Sequence, residues 1–411
     1  MQREEKVEIT GYGYDGEGIG RLHGKVVFVP YTLQGEKVRV KVNKENSSFI
    51  KGELVKVDSE SELRQKPPCP YYMKCGGCRY QHTTYENELA IKKALLAGQL
   101  AKVGFAGNVE VISANEYFYR NKIRLFVGDK GLALKQSNSN TLCYITHCMI
   151  AEKEISDAID KINTFIISGI HQKDYSEVVI RKEEDNLLVN FIKKSKTEIN
   201  YQGLFLILGK NFGIFETIKG NTIHQIGLTS LQCDEFGLKC SFSPTSFHQV
   251  NDEIGKKLYA ELINNLVGKN ILNCYSGAGV LSGIIAKQNK RVVGIELGKS
   301  EHYDAEVLKG QNSLFYLTNI MGDCKEVVPK LNEKFDTLVV DPPRAGVDEK
   351  VIECINTLVL KRLIYISCNS ATLVRDLGRL KNFKIIKAIL FDMFARTGEY
   401  ETLVVLDKKR K

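Results

Sequence analysis

From about residue 250 onward the chain alternates helix-like segments with short apolar strands, and that alternation restricts this half to a parallel α/β sheet. A helical pattern at 252–267 leads into the strand NILNCY (270–275), then a glycine turn and a further helix. The strands RVVGIE (291–296), TLVVD (337–341), RLIYIS (362–367) and ETLVVLD (401–407) follow. Sheets of this kind bind ligands at the carboxyl ends of their strands. The residues just past each strand are therefore the candidate site.

The first 59 residues follow a different rule. VEITGYGYDGEGIGRLHGKVVFVPYTLQGEKVRVKV alternates apolar and polar residues, with turns about every 8–12 positions, and predicts a small antiparallel barrel. Val26 to Val29 read as one strand and Glu36 to Val42 as another. Gly11, Gly13, Gly16, Gly18 and Gly20 are expected in a tip loop beside Tyr12 and Tyr14. Such barrels bind nucleic acid through aromatic and basic side chains or serve only as scaffolds, and the residues alone leave both open. A polar stretch, DSESELRQKPP, then precedes a dense run of cysteines. A helix is predicted at 84–104, capped by Thr84, with Leu89, Leu95, Leu96, Leu100 and Val103 as its apolar stripe. Strands at 122–127, 177–180 and 187–191, with a helix near 152–168, indicate an α+β middle domain. No internal repeat is visible.

A chain of 411 residues holds two or three domains, and 43% apolar with 26% charged residues excludes a disordered or low-complexity protein. No apolar run approaches the ~18 residues of a membrane span. The opening MQREEKVEIT lacks the apolar stretch of a secretory signal, so a cytoplasmic protein is expected. Eleven cysteines, an odd number, then read as metal ligands, reactive thiols or core residues rather than a disulfide framework. The net charge of +9 is uneven: residues 61–150 and 351–411 each carry twelve basic against six acidic residues, and the remainder is close to neutral. Two separated basic regions suit a polyanion laid across domains, although a generally Lys-rich composition would produce the same total.

Three groups of residues carry the chemistry. The first is the turn Ser276-Gly277-Ala278-Gly279, with Glu296 closing the next strand seventeen positions beyond Gly279 and Asp323 in NIMGDC after it. A carboxylate at Glu296 can accept ribose hydroxyls, and Asp323 is placed for an adenine edge. This strand–helix turn carries neither a GxGxxG fingerprint nor a GxxxxGK[ST] loop, so an adenosine ligand without phosphates, S-adenosylmethionine first, fits best. The second group is Asp341, at the strand end of TLVVDPPR, with Cys368 in SCNS just past RLIYIS. A cysteine inside a strand is usually a small hydrophobe, but one in the polar turn beyond it can act as a thiolate. Glu399 and Glu401, in DMFARTGEYE, approach the same edge. The third group is Cys69, Cys75 and Cys78, spaced C-x5-C-x2-C, with glycines at 76 and 77 that let the loop wrap a metal. Spacing alone separates zinc from iron–sulfur poorly. The histidines at 82, 147 and 224 show no ligand spacing.

Together these motifs resemble the RNA uracil-5-methyltransferases, and more closely the ribosomal branch, which adds an N-terminal TRAM barrel and a [4Fe–4S] cluster. The resemblance spans nearly the whole chain. It implies a TRAM/OB-like β-barrel at 1–59, an iron–sulfur and RNA-binding middle domain at 60–245, and a Rossmann-like S-adenosylmethionine methyltransferase domain at 246–411, with helix 84–104 free to pack on the last. Gln249 and Asn251 match the family's FQVN motif (here within FHQVN) and are placed near the cofactor. The cofactor positions map to Gln249, Tyr275, Ser276, Gly277, Gly279, Glu296, Asp323 and Asp341. Cys368 corresponds to the nucleophile, Asp341 to the residue that holds the ring, and Glu401 to the base. Arg344 completes the DPPR motif, and Cys148 becomes the fourth cluster ligand, with Cys143 the runner-up. Arg120 and Lys122 of YRNK match an RNA-contact strand. The implied substrate is 23S rRNA, with a tRNA T-loop second, and a catalytically inactive RNA-binding protein is a third reading from a different class. A monomer without an obligate protein partner is expected. The chain departs from the family pattern at Asn273, Ser276, Ser370, Ala395, Arg396 and Glu399, where an acid, Cys, Pro, Pro, His and His are usual.

Overall fold

The computed structural model describes residues 4–137, 139–246 and 248–409. Strands β1 (Glu4–Tyr12), β2 (Gly18–Leu22), β3 (Lys25–Val29), β4 (Lys37–Glu45) and β5 (Phe49–Ser59) close into a barrel in the order β1-β2-β3-β5-β4. The inward positions of the alternating pattern, Val7, Ile9, Val27, Val29, Val38, Val40 and Ile50, fill it. The glycines do not all share a tip loop: Gly11 lies in β1 and Gly18 and Gly20 in β2, so the tip is residues 13–17. A Cβ on Gly20 would stand 2.4 Å from the carbonyl oxygen of Glu8, so glycine is what lets β1 and β2 approach there.

Helix α1 (Tyr85–Ala101) is capped by Thr84, whose side chain accepts the Asn87 N–H, and it stops short of 104. Its buried face is Glu88, Ile91, Lys92, Leu96 and Leu100, whereas Leu89 and Leu95 are only half-buried. The apolar stripe mislocates the face because two charged residues belong to it. Lys92 Nζ donates to Glu88 Oε1 and Asp392 Oδ1, both at 2.7 Å, so the charges satisfy one another away from water. Strand β6 (Val109–Ile112) follows, and both elements lie on the C-terminal sheet rather than in the middle segment.

The middle sheet has seven strands: β7 (Lys122–Gly128), β8 (Gly131–Lys135), β9 (Leu142–Tyr144), β10 (Tyr175–Glu183), β11 (Asn186–Lys193), β12 (Phe212–Ile218) and β13 (Asn221–Gly227), ordered β13-β12-β11-β10-β7-β8-β9. Helix α2 (Lys153–Ser168) lays Ile155, Ile159, Ile162 and Ile166 on it at helical spacing, and α3 (Gln202–Leu208) adds Leu204 and Leu208. A hairpin of β14 (Leu231–Glu235) and β15 (Leu238–Phe242) comes next, and then α4 (Asp252–Asn264), capped by Asn251.

The C-terminal unit runs β16 (Asn270–Cys274), α5 (Val280–Lys287), β17 (Arg291–Glu296), α6 (Lys299–Gln311), β18 (Leu317–Met321), α7 (Cys324–Val327), β19 (Thr337–Val340), α8 (Glu349–Thr357), β20 (Arg362–Ser367), α9 (Ser370–Arg379), β21 (Phe383–Phe391) and β22 (Glu401–Lys408). Its sheet order is β18-β17-β16-β19-β20-β22-β21-β6, parallel from β18 to β20 and antiparallel at β22. Apolar cores on both faces bury it. The strand order reverses between β16 and β19, which places a crevice at their carboxyl ends. Among the described residues no helix is long and apolar enough to cross a membrane.

Candidate active site and cysteine cluster

The turn after β16 is built from left-handed backbone: Tyr275 has φ 62°, Gly277 55° and Gly279 79°. Gly279 is a packing glycine, since a Cβ there would meet Ala305 of α6 at 2.8 Å. Neither it nor Asn251, which caps α4, lines the cavity beyond the turn, whereas the other positions expected near the cofactor do. Glu296 closes the turn from β17, its two oxygens accepting the N–H groups of Gly277 (2.9 Å) and Gly298 (2.7 Å). Asp323 caps α7 by accepting the Lys325 N–H and pairs with Lys325 Nζ at 3.1 Å. Asn273, where an acid is usual, is buried and donates to Ser282 Oγ at 2.8 Å, while its Oδ1 has no partner.

Asn273, Tyr275, Gly277, Glu296 and Asp323 line one cavity of about 790 Å³, which also receives Gln249, Asp341, Arg344, Cys368, Glu399 and Glu401. Asp341 directly follows β19, and burial pushes its carboxyl up to about 7. Cys368 follows β20 directly. Burial pushes its thiol up to about 11, the charges of Glu401 and Asp341 adding and Arg344 opposing. Glu401 opens β22, which pairs with β20 so that Thr402 faces Ser367. Burial, then Asp341 and Glu399, hold the Glu401 carboxyl well above its ordinary range. Arg344 Nη2 reaches Glu399 Oε1 at 2.5 Å. Asp341, Glu401 and the Cys368 thiol thus share one part of the cavity, with the Arg344–Glu399 pair at its more exposed rim, an arrangement that gathers proton donors and acceptors at one place. Arg120 borders the cavity. Lys122 instead turns inward toward the Ser246 carbonyl and is no exposed contact.

The cysteines form a second centre. Cys69, Cys75 and Cys78 occupy the loop before α1, and Cys148 the segment before α2. The charges that reach Cys78 are those of Cys148, Cys75 and Cys69. Backbone N–H groups face the sulfurs: Gly77 donates to Cys75 Sγ at 3.4 Å, Tyr71 and Tyr72 face Cys69, and Ile150 and Ala151 face Cys148. Cys143 is buried in the core of the middle domain. A zinc ion with four thiolates would draw the sulfurs to about 3.8 Å from one another. Among the described residues the one group with three candidate ligand atoms within 4.8 Å is Glu183, His248 and Asp252, so the sulfurs span a wider space. Backbone amides thus meet Cys69, Cys75 and Cys148, a donor set that would suit thiolates holding a metal group.

The Glu183, His248 and Asp252 group had no sequence signal, because its members come from β10, the segment before α4, and α4 itself. Arg181 Nη2 lies 3.2 Å from Glu183 Oε1 and supplies the positive charge there, so this is an internal ion pair. The tip-loop residue Tyr14, which contacts the turn after Cys368, was also not legible as part of the site.

A family model described as tRNA (Uracil-5-)-methyltransferase matches residues 325–409, and one for the TRAM domain matches residues 2–55. A Clostridium acetobutylicum protein described as an uncharacterized RNA methyltransferase is 30% identical over 451 residues, covering 99% of this chain and 97% of the relative. The 23S rRNA (uracil(1939)-C(5))-methyltransferase RlmD of Francisella tularensis subsp. novicida is 29% identical, covering 98% and 96%. The crystal structure of Pyrococcus abyssi tRNA (uracil-54, C5)-methyltransferase, bound to S-adenosyl-L-homocysteine, shares the fold with a TM-score of 0.83 at 23% identity, over 98% of this chain and all of that one. Matched over nearly its full length by such relatives, and in its first and last segments by these family models, the chain belongs to the RNA uracil-5-methyltransferase family.

Proposed function

We infer that this chain is an S-adenosylmethionine-dependent enzyme that methylates C5 of a uridine in 23S rRNA through a covalent bond between Cys368 and C6 of the base. One observation carries the reading: Asp341, Cys368 and Glu401, from three different strand ends, face the same cavity as the glycine turn and Glu296. The rRNA assignment is supported by the named Francisella relative.

C5 of uracil is a weak nucleophile. In the proposed reaction Cys368 gives up its proton to solvent and its sulfur adds to C6, so the electron pair of the C5=C6 bond moves toward C5 and O4. Asp341, with a carboxyl pushed up to about 7, can hold the N3–O4 edge and share a proton with the oxygen as charge builds on it. When bound, S-adenosylmethionine supplies an electrophilic methyl group, which C5 accepts. Glu401 then takes the C5 proton, and the pair from that bond restores C5=C6 and releases the Cys368 thiolate. The target base has to leave its helical stack for both faces to be reached. Cys69, Cys75, Cys78 and Cys148 would hold a [4Fe–4S] cluster, whose contribution is to pin the loop before α1 to the middle domain, because methyl transfer moves no electron.

Mass spectrometry of nucleosides from a strain lacking the gene tests the reading. Loss of 5-methyluridine from a 23S rRNA fragment is expected. Loss from tRNA alone transfers the activity to the T-loop, and retention in both overturns the assignment.

A further inference from the structure

We propose that Tyr14, at the tip of the N-terminal barrel, is a positioning residue for Cys368, acting through a hydrogen-bond relay that runs Tyr400–Ser370–Tyr14–Asn369. The proposal rests on the reading of Cys368 as nucleophile and extends it to the barrel, which that reading otherwise uses only as a scaffold or RNA contact.

Tyr14 Oη lies 2.7 Å from the N–H of Ala371, 3.0 Å from Asn369 Oδ1 and 3.0 Å from Ser370 Oγ. Tyr400 Oη donates to the same Ser370 Oγ at 3.2 Å. One arrangement of protons satisfies every atom. Tyr400 donates to Ser370, Ser370 donates to Tyr14, Tyr14 donates to the Asn369 carbonyl oxygen, and the Ala371 N–H donates to Tyr14. Bonds chained in this way polarise and strengthen one another. The relay begins at the residue before Glu401 and ends at the residue after Cys368, so it ties the proposed base to the proposed nucleophile. At Ser370 the family pattern has proline, which has no hydroxyl to carry the relay. Cys368 is held from its other side too, since Ser367 Oγ accepts the Asn369 N–H at 3.1 Å.

The tip loop is seated firmly enough to act as a fixed point. Arg79 Nη1 donates to the Asp15 carbonyl at 3.0 Å. Gly16, at φ +78°, lies so close to Tyr80 that a Cβ there would coincide with the tyrosine hydroxyl. A second cavity of about 140 Å³ sits between Tyr14, Arg344, Cys368 and Tyr400, so Cys368 forms a wall shared with the larger cavity, and Tyr14 stands on the side away from the glycine turn.

The test uses the full-length Tyr14→Phe variant, which removes one oxygen and keeps the ring. In single-turnover methylation the expected result is a fall in rate of roughly 5- to 20-fold with the RNA KM unchanged within about twofold. In the free enzyme, alkylation of the Cys368 peptide by iodoacetamide, followed by mass spectrometry against pH, should shift to lower pH and run faster at pH 8, because the sulfur is less confined. Ser370→Ala should do the same, and the double variant should be no worse than either single one. A raised KM with unchanged rate would make Tyr14 an RNA contact and overturn the proposal, as would an unaltered alkylation profile or additive losses. The alkylation measurement needs no RNA. If Cys368→Ala retained methylation, the nucleophile reading would fail while the positional readout still reported on Tyr14.

Discussion

The backbone N–H of Arg79 donates to the carbonyl oxygen of Arg396 at 2.7 Å, which joins the loop carrying three cysteines to the segment that leads into Glu401. The contact is returned from the other side: Arg396 Nη1 donates to the Tyr80 carbonyl at 3.1 Å and the Thr83 carbonyl at 2.8 Å. Arg396, where the family pattern has histidine, is 2% exposed and also pairs with Glu88 and Glu116. The guanidinium is therefore a structural pin between the cysteine loop and the catalytic edge.

Losing the cysteine centre should consequently loosen the catalytic edge. Protein purified without oxygen is expected to be brown and to hold about four irons per chain. Cys148→Ser should lower the iron content and Cys143→Ser should leave it unchanged. In the Cys148→Ser protein, amides of residues 394–400 should exchange with deuterium faster, because the loop that braces them is no longer closed. Zinc without iron, or exchange confined to the cysteine loop, would contradict this.

Glu401 and Cys368 should separate two halves of the reaction. Cys368→Ala is expected to abolish methyl transfer and to form no covalent complex with RNA. Glu401→Gln removes the base that precedes elimination, so a methylated covalent adduct should accumulate and appear as a slow-migrating band on a denaturing gel. No band, with activity retained, would remove Glu401 from the role of base.

Asp341 should cost stability in exchange for chemistry. Its carboxyl stands at about 7 in the folded chain against an ordinary 3.8, so between these values the native state keeps a proton that the unfolded state releases. Stability then falls as pH rises through that window and stays reduced above it. Asp341→Asn carries no such penalty. It should be inactive yet more stable than the parent above pH 7, by at most about 4 kcal/mol, with little difference near pH 4. Urea unfolding at the two pH values measures the effect, and equal differences at both would refute its electrostatic origin.

The Glu88–Lys92–Asp392 group holds α1 on the catalytic unit with both ion pairs fully buried. Lys92→Met leaves Asp392 without a cation and Glu88 with Arg396 alone, and should destabilise the protein by about 3 to 5 kcal/mol. The triple replacement of all three by apolar residues should recover most of that loss. Denaturant midpoints decide it, and a Lys92→Met protein as stable as the parent would show that the network is slack.

Much of the local structure was legible in the sequence because the signals are short-range. Period-two alternation located the barrel strands, apolar runs located the strands that carry the site, and Thr84 marked the start of α1 where its side chain caps the Asn87 N–H. The glycine turn, the strand-end acids and Cys368, all named from sequence, line the cavity. The buried face of α1 was misread, since a pattern of apolar residues cannot register a lysine neutralised by Asp392, 300 positions away. The tip loop was overextended because glycines that serve close strand crossing look the same in sequence as glycines that serve a turn.

What the sequence by itself determined were the residue types at each strand end, the order of the domains and the spacing of the cysteines, all set by neighbours within a few residues. Only the tertiary structure decided which of those residues meet. β6 joins the far edge of the C-terminal sheet, Arg396 locks onto the cysteine loop, and Tyr14 of the barrel bonds to the turn after Cys368. Such contacts depend on burial and charge pairing between segments hundreds of residues apart, and no local pattern encodes the partner of a side chain that leaves its own element.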